Sequence, residues 1–239
     1  MTVWCFTKLA LLWRSRIGCL KIMSIKLSKR LQVIADMVRH ARVVDVGCDH
    51  AYLPIYLVQS GRVSGALATD IAAEPLARGH ENAVLHGVGV GFMQADGISG
   101  VPAGYETCVI AGMGGESVMR ILSSEIGAAR GFKQLLLSPQ RDVADVRRFL
   151  HTYGFLIVDE ALVEENGKFY FVLDTVADSG AHCTPLREAD YAFGRHLVER
   201  KCAVLARFLE AEILKYEKIN RTEYSEYLLM CKEVLACIK

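Results

Sequence analysis

No excess of charge marks this chain of 239 residues: 28 Lys and Arg stand against 27 Asp and Glu, a formal net charge of +1. A near-neutral total excludes a surface that attracts polyanions everywhere and leaves room only for local basic patches. The eight cysteines are scattered, with neither a Cys-x-x-Cys pair nor a His/Cys cluster at zinc spacing, so no metal site is read from them. Cys48, Cys108 and Cys202 fall inside strand or helix patterns, which suits reduced thiols and a cytoplasmic setting. A dinucleotide fingerprint is also missing. Gly-x-Gly-x-x-Gly is needed to wrap a pyrophosphate, and the chain offers Gly47 followed by Asp49 and His50. The apolar run Trp4, Phe6, Leu9, Leu11, Leu12, Trp13 is too short to span a bilayer, and its charges (Arg14, Arg16, Lys21) follow it, the reverse of a signal peptide. Residues 1–22 are therefore read as an extension upstream of a start at Met23, with an amphipathic tail as the alternative.

What is present organises around Val43-Val44-Asp45-Val46-Gly47-Cys48-Asp49-His50-Ala51-Tyr52-Leu53-Pro54. An apolar, β-branched run that ends in carboxylates and a glycine reads as a buried parallel strand delivering its C-terminal end to a ligand. Gly47 lets backbone approach that ligand, and Pro54 suits the first turn of the next helix. Carboxylates repel phosphate and suit a cationic, hydroxyl-rich molecule; S-adenosylmethionine has an ammonium, a sulfonium and a ribose diol. A second strand, Gly65 to Asp70, ends in an acid 23 residues after Gly47. A doubly wound sheet puts its ribose-hydroxyl acceptor at about that distance; capping of the following helix is the bland alternative. A third strand, around Val88 to Gln94, runs into Asp96-Gly97, where a carboxylate could accept from an adenine amino group. Together Asp45, Asp70 and Asp96 predict an adenosine ligand across the carboxyl edge of a parallel sheet.

Cys108 to Ala111 forms a fourth strand, followed by Gly112-Met113-Gly114-Gly115. No Lys-Ser/Thr follows these glycines, so a phosphate loop is excluded. Asn-Pro-Pro-Tyr and a cysteine nucleophile are both absent there, which disfavours methylation of exocyclic amines and of cytosine C5. Gln134 to Ser138 is a fifth strand, and two last strands, Phe155–Glu164 and Lys168–Val176, flank Asn166-Gly167, a strong hairpin signal. Five βα units closed by an antiparallel hairpin give the α/β strand plan of a class I methyltransferase, Rossmann-like with its last strand antiparallel. Residues 23–180 are assigned to that domain. After a polar linker (Asp178 to Thr184), helical spacing from Leu186 and again from Tyr224 to Ile238 predicts an α-helical hairpin, coiled-coil-like, over 185–239. A helix is also expected from Ser28, flanked by Lys29 and Arg30. Most of the chain's basic residues read as solvated; some are placed for nucleic-acid phosphates.

These stretches resemble the bacterial tRNA (adenine(22)-N1)-methyltransferases. The resemblance rests on Leu27-Ser28-Lys29-Arg30-Leu31, on Asp45 to Pro54, on Ile110-Ala111-Gly112-Met113-Gly114-Gly115 and on Glu165-Asn166-Gly167-Lys168-Phe169-Tyr170, within residues 26–239. Ser138-Pro139-Gln140-Arg141 departs from the Gln-Pro-Asn more usual in the family. The resemblance implies S-adenosylmethionine as cofactor, S-adenosylhomocysteine as product and N1 of a D-arm adenine in tRNA as acceptor. The expected cofactor set is Asp45, Gly47, Asp49, His50, Asp70, Asp96, Gly97, Gly112 and Met113. Asp49, Tyr52, Gly112 and Gly114 are expected at the reacting base, and Lys29, Arg30, Arg141, Arg195, Arg200 and Lys201 against the tRNA. A monomer with no membrane segment and no protein partner completes the expectation. Methylation of another RNA position or of a small molecule, and a cofactor-independent RNA-binding module, are the alternatives.

Overall fold

The computed structural model describes residues 25–178, 186–219 and 221–239; the expectations for residues 1–22 and for most of the linker lie outside them. Strands β1 (Arg42–Val46), β2 (Gly65–Asp70), β3 (Gly91–Gln94), β4 (Thr107–Ala111) and β5 (Gln134–Ser138) are parallel. With β6 (Phe155–Glu165) and β7 (Lys168–Ala177) they make one sheet in the order β3-β2-β1-β4-β5-β7-β6. β7 is antiparallel to both of its neighbours. The two-residue turn explains this: Asn166 and Gly167 both have positive φ (52° and 72°), the backbone that a tight hairpin needs.

Helices α1 (Lys29–Met37), α2 (Tyr52–Gln59), α3 (Ala73–Leu85), α4 (Gly115–Ser124), α5 (Ile126–Gly131) and α6 (Val143–Thr152) precede or connect the strands. Ser28 caps α1, its Oγ accepting from Leu31 N at 3.3 Å. Pro54 lies in the first turn of α2, where a backbone N–H has no helical partner to lose. Because side chains alternate along a strand, the central strands fill two cores at once. On one face Val44, Val46, Ile110, Leu135 and Leu137 meet Val118 and Leu122 of α4 and Val146 and Leu150 of α6. On the other, Val43, Val109 and Leu136 meet Ile34 and Ala35 of α1 and Leu53 and Leu57 of α2. Burial of each large aliphatic side chain contributes about 1.5–3 kcal/mol, which is why these strands are apolar on both faces.

β6 and β7 have 11 and 10 residues against the 5 of β5. β7 pairs with β5 only over Leu173–Thr175, so the hairpin tip overhangs the carboxyl edge of the parallel strands. There it meets α1: Lys29 N donates to Glu165 Oε1 at 2.6 Å, and the Arg30 guanidinium lies 5.0 Å over the Tyr170 ring.

The tail is more broken than its periodicity predicts. A π-helical turn (Asp190–Gly194), α7 (Arg195–Glu199) and α8 (Ala203–Ile219) replace one continuous first arm, and α9 (Ser225–Ile238) returns after a short 3-10 turn. Gly194, at φ +87°, packs directly on Glu160: a Cβ there would come within 2.5 Å of the carboxylate. Lys201, at φ +52°, ends α7. Ion pairs Lys232–Glu217 (2.7 Å) and Lys239–Glu210 (2.7 Å) show that α8 and α9 are antiparallel. Their apolar faces are not separate from the sheet, because Leu205, Leu209, Cys231 and Val234 share a core with Leu162 and Phe171 of the hairpin.

Candidate active site

The turn after β1 is built from left-handed backbone: Gly47, Asp49 and Ala51 have φ of 72°, 42° and 54°. Thr69 O of β2 accepts from both Gly47 N (2.8 Å) and Cys48 N (3.1 Å), which ties the turn to the next strand end. Gly47 is required on two counts. Its φ strains any L side chain, and a Cβ would lie 2.8 Å from the Met113 methyl. Met113 therefore covers Gly47 and joins the β1 turn to the β4 loop.

Asp45 is 7% exposed, and burial, followed by the charge of Asp70, raises its carboxyl to about 7. No ion pair reaches it among the described residues. Cys48 beside it is pushed up to about 12, chiefly by burial and then by Asp45 and Asp70, so the thiol stays neutral. Asp70 Oδ1 accepts from Ala72 N at 3.0 Å, fixing the entry to α3. Gly97, at φ +68°, packs against Ile121. Both oxygens of Asp96 are taken by Arg120 (3.1 and 3.2 Å). The Asp49 carboxylate points to α3, where Arg78 Nη2 binds it at 3.0 Å, and His50 Nε2 lies 3.6 Å away. His50 stacks on Tyr52 with 5.3 Å between ring centroids, and Tyr52 is 42% exposed.

The glycine loop after β4 is zipped to the loop after β5 by three backbone hydrogen bonds. Gly112 N donates to Ser138 O (3.2 Å), Gln140 N to Met113 O (2.9 Å) and Gly115 N to Arg141 O (3.2 Å). Two guanidinium groups lie against it. Arg30 is within 3.7 Å of the Cβ position of Gly112, and Arg141 within 3.0 Å of that of Gly114.

The strand ends thus gather Asp45, Gly47, Asp70, Asp96, Gly112 and Met113 along one edge, with Arg30 and Arg141 on its β5 side and Lys29 on the hairpin. Arg195 and Arg200 lie in the tail and are engaged by Glu199 (2.6 Å) and Asp159 (2.8 Å); Lys201 is exposed at the turn after α7. Arg78, Arg120 and Tyr170 escaped the sequence reading as neighbours of the site. Arg78 had one available signal, its spacing of four from Glu74, whose carboxylate it also binds at 2.7 Å. An edge with a buried, cation-free carboxylate beside further acids and close-approach glycines fits the ammonium, sulfonium and diol of S-adenosylmethionine.

A family model described as a methyltransferase domain matches residues 27–173. The chain is 32% identical over 214 residues to the tRNA (adenine(22)-N(1))-methyltransferase of Bacillus subtilis (strain 168), covering 84% of this chain and 89% of that protein. A Streptococcus pneumoniae protein solved in complex with S-adenosyl-L-methionine superposes with a TM-score of 0.81 at 32% identity, covering 88% of this chain and all of the other (100%). The crystal structure of the B. subtilis m1A22 tRNA methyltransferase gives a TM-score of 0.76 at 29% identity, covering 88% and 99%. With its sheet order, its acid-lined carboxyl edge and these likenesses over most of its length, the chain belongs to the tRNA (adenine(22)-N1)-methyltransferase family.

Proposed function

We propose that this chain transfers a methyl group from S-adenosylmethionine to N1 of adenine 22, in the D-arm region of tRNA. The observation that carries the reading is the junction of two surfaces: the carboxylate edge of β1 to β3 and the glycine loop after β4, joined where Met113 covers Gly47. The first suits the cofactor, and the second suits a planar base brought close to backbone. When bound, S-adenosylmethionine supplies an electrophilic methyl on a sulfonium. Asp45 and Gly47 would hold its charged end, Asp70 its ribose diol, and Gly97 with Asp96, whose carboxylate is shared with Arg120, its adenine.

Adenine N1 carries its own lone pair, so the chain needs no strong general base. Its residues have to align N1 and exclude water. N1 lies on the Watson–Crick edge, so the nucleotide must be unpaired or turned out of its helix. Tyr52, half exposed and stacked on His50, offers the base a platform. The methylated base gains positive charge, which backbone carbonyls of the Gly112–Gly115 loop would favour. Asp49 can serve the same end only by sharing its carboxylate with Arg78. One chain supplies both surfaces, so we assign a monomer acting on tRNA in the cytoplasm.

The test is transfer of labelled methyl from S-adenosylmethionine to total bacterial tRNA, followed by nucleoside analysis. N1-methyladenosine, with a primer-extension stop in the D-arm, is the expected product. Label in another nucleoside overturns the acceptor assignment, and no transfer from protein that binds the cofactor overturns the reaction.

A further inference from the structure

Most arginines of this molecule have a carboxylate. Arg39 is engaged by Asp174, Arg62 by Asp36, Arg78 by Asp49, Arg120 by Asp96, Arg147 by Glu160 and Arg200 by Asp159. Arg30 differs. Its side chain makes no ion pair or hydrogen bond with another described residue, and its Nη1 is buried without a partner. Arg42 also lacks a carboxylate, but it lies at the opposite end of β1, over the Tyr105 ring. Arg30 is held rigidly for a residue with so few polar contacts. The capped first turn of α1 fixes its backbone, Glu165 accepts from the neighbouring Lys29 N, and the Tyr170 ring supports its guanidinium at 5.0 Å. Held there, it faces Gly112, with Nη1 and Nη2 3.7 and 3.8 Å from the Cβ position of that glycine. Of the four buried side-chain polar atoms without a partner among the described residues, another, Ser138 Oγ, lies at this loop, on the residue whose carbonyl accepts from Gly112 N. On the same loop the Arg141 side chain, 72% exposed, lies against Gly114, with Asp142 at 3.4 Å as its one ion-pair partner among the described residues.

Buried donors without partners in a native fold call for an acceptor. A planar guanidinium on a fixed support matches a phosphate oxygen pair, and the absence of side chains at Gly112 and Gly114 lets both guanidinium groups lie directly against the loop. The acceptor is not the base, because N1-methyladenine is cationic and a guanidinium beside it would oppose methylation. We propose that Arg30, with Arg141 across the glycine loop, grips the phosphodiester next to the target adenosine and so seats the extruded nucleotide against Gly112–Gly115. This rests on the tRNA reading above and names the part of the substrate that the loop holds.

The test uses full-length tRNA assembled by ligation, with a single uncharged methylphosphonate on the 5′ or the 3′ side of the target adenosine, and wild-type enzyme beside Arg30→Met, which keeps the bulk over Tyr170. In the wild type the methylphosphonate at the gripped position should lower kcat/KM for tRNA about tenfold. R30M should lose a similar factor on ordinary tRNA, lose little more on the substituted tRNA, and have a salt dependence of binding shallower by about one counterion. Cofactor affinity measured on R30M without tRNA should match wild type, which separates a lost grip from a damaged fold. If both methylphosphonates cost R30M as much as they cost the wild type, or if the salt slope is unchanged, the grip is overturned. A wild-type enzyme that methylates no tRNA overturns the tRNA reading instead.

Discussion

Two carboxylates buried in the same sheet have opposite fates. Glu160, on β6, is 1% exposed and is met by Arg147 of α6, whose Nε donates to it at 2.8 Å while its Nη1 binds the Tyr191 carbonyl at 2.8 Å. Asp45, on β1, is nearly as buried and has no cation among the described residues, and its carboxyl is raised to about 7. The first pair ties the tail to the sheet, with each charge answered by the other from within the fold. The second leaves its charge unanswered at a strand end and is therefore suited to a cationic ligand. Burial alone does not mark a site; burial without an internal counterion does.

Arg147→Met is the strongest way to break this contrast. It strands Glu160 without a counterion and should cost about 3–5 kcal/mol, read as a lowered denaturation midpoint, while cofactor affinity of the folded fraction is unchanged. Adding Glu160→Leu should restore about half of the loss. Asp45→Asn should do the reverse: cofactor affinity falls about 10–100-fold by calorimetry, as for loss of a charged hydrogen bond, with no loss of thermal stability. The pH dependence sharpens the point. A carboxyl near 7 in the fold, against an ordinary 3.8, binds its proton more tightly when folded. Its contribution to stability is thus greatest in acid and declines as pH rises toward 7. A cationic cofactor needs the ionised form, so affinity should fall about tenfold for each unit below pH 7 in wild type and stay level in D45N. The smallest expected effect is that of Asp70→Asn, which should weaken cofactor binding about tenfold, as loss of one charged hydrogen bond does, with turnover at saturating cofactor nearly unchanged. Unaltered affinity in that variant would remove Asp70 from the diol and leave it as the turn anchor for Ala72.

The carboxyl edge was legible in the sequence because strand ends are local signals. Val43–Val46 before Gly47, Gly65–Asp70 and Asn166-Gly167 each declare their geometry within a few residues, and β2 and β5 have the predicted limits. The partners of the acids were not legible, because they come from elsewhere. Arg78 reaches Asp49 and Arg120 reaches Asp96 across 29 and 24 residues, and no periodicity specifies such a meeting. The same holds for the tail, whose helical pattern is sound but whose break at Gly194 is dictated by Glu160, a residue of the hairpin. The short helix α5, with Gly127 and Gly131 inside it, had too little pattern to be seen.

The overhanging hairpin has a kinetic consequence. Val163–Glu165 and Lys168–Tyr170 have ladder partners only in each other, whereas Leu173–Thr175 lie between two strands. Amide hydrogens at the tip should therefore exchange through a local opening well below the free energy of global unfolding, and those of Leu173–Thr175 only near that limit.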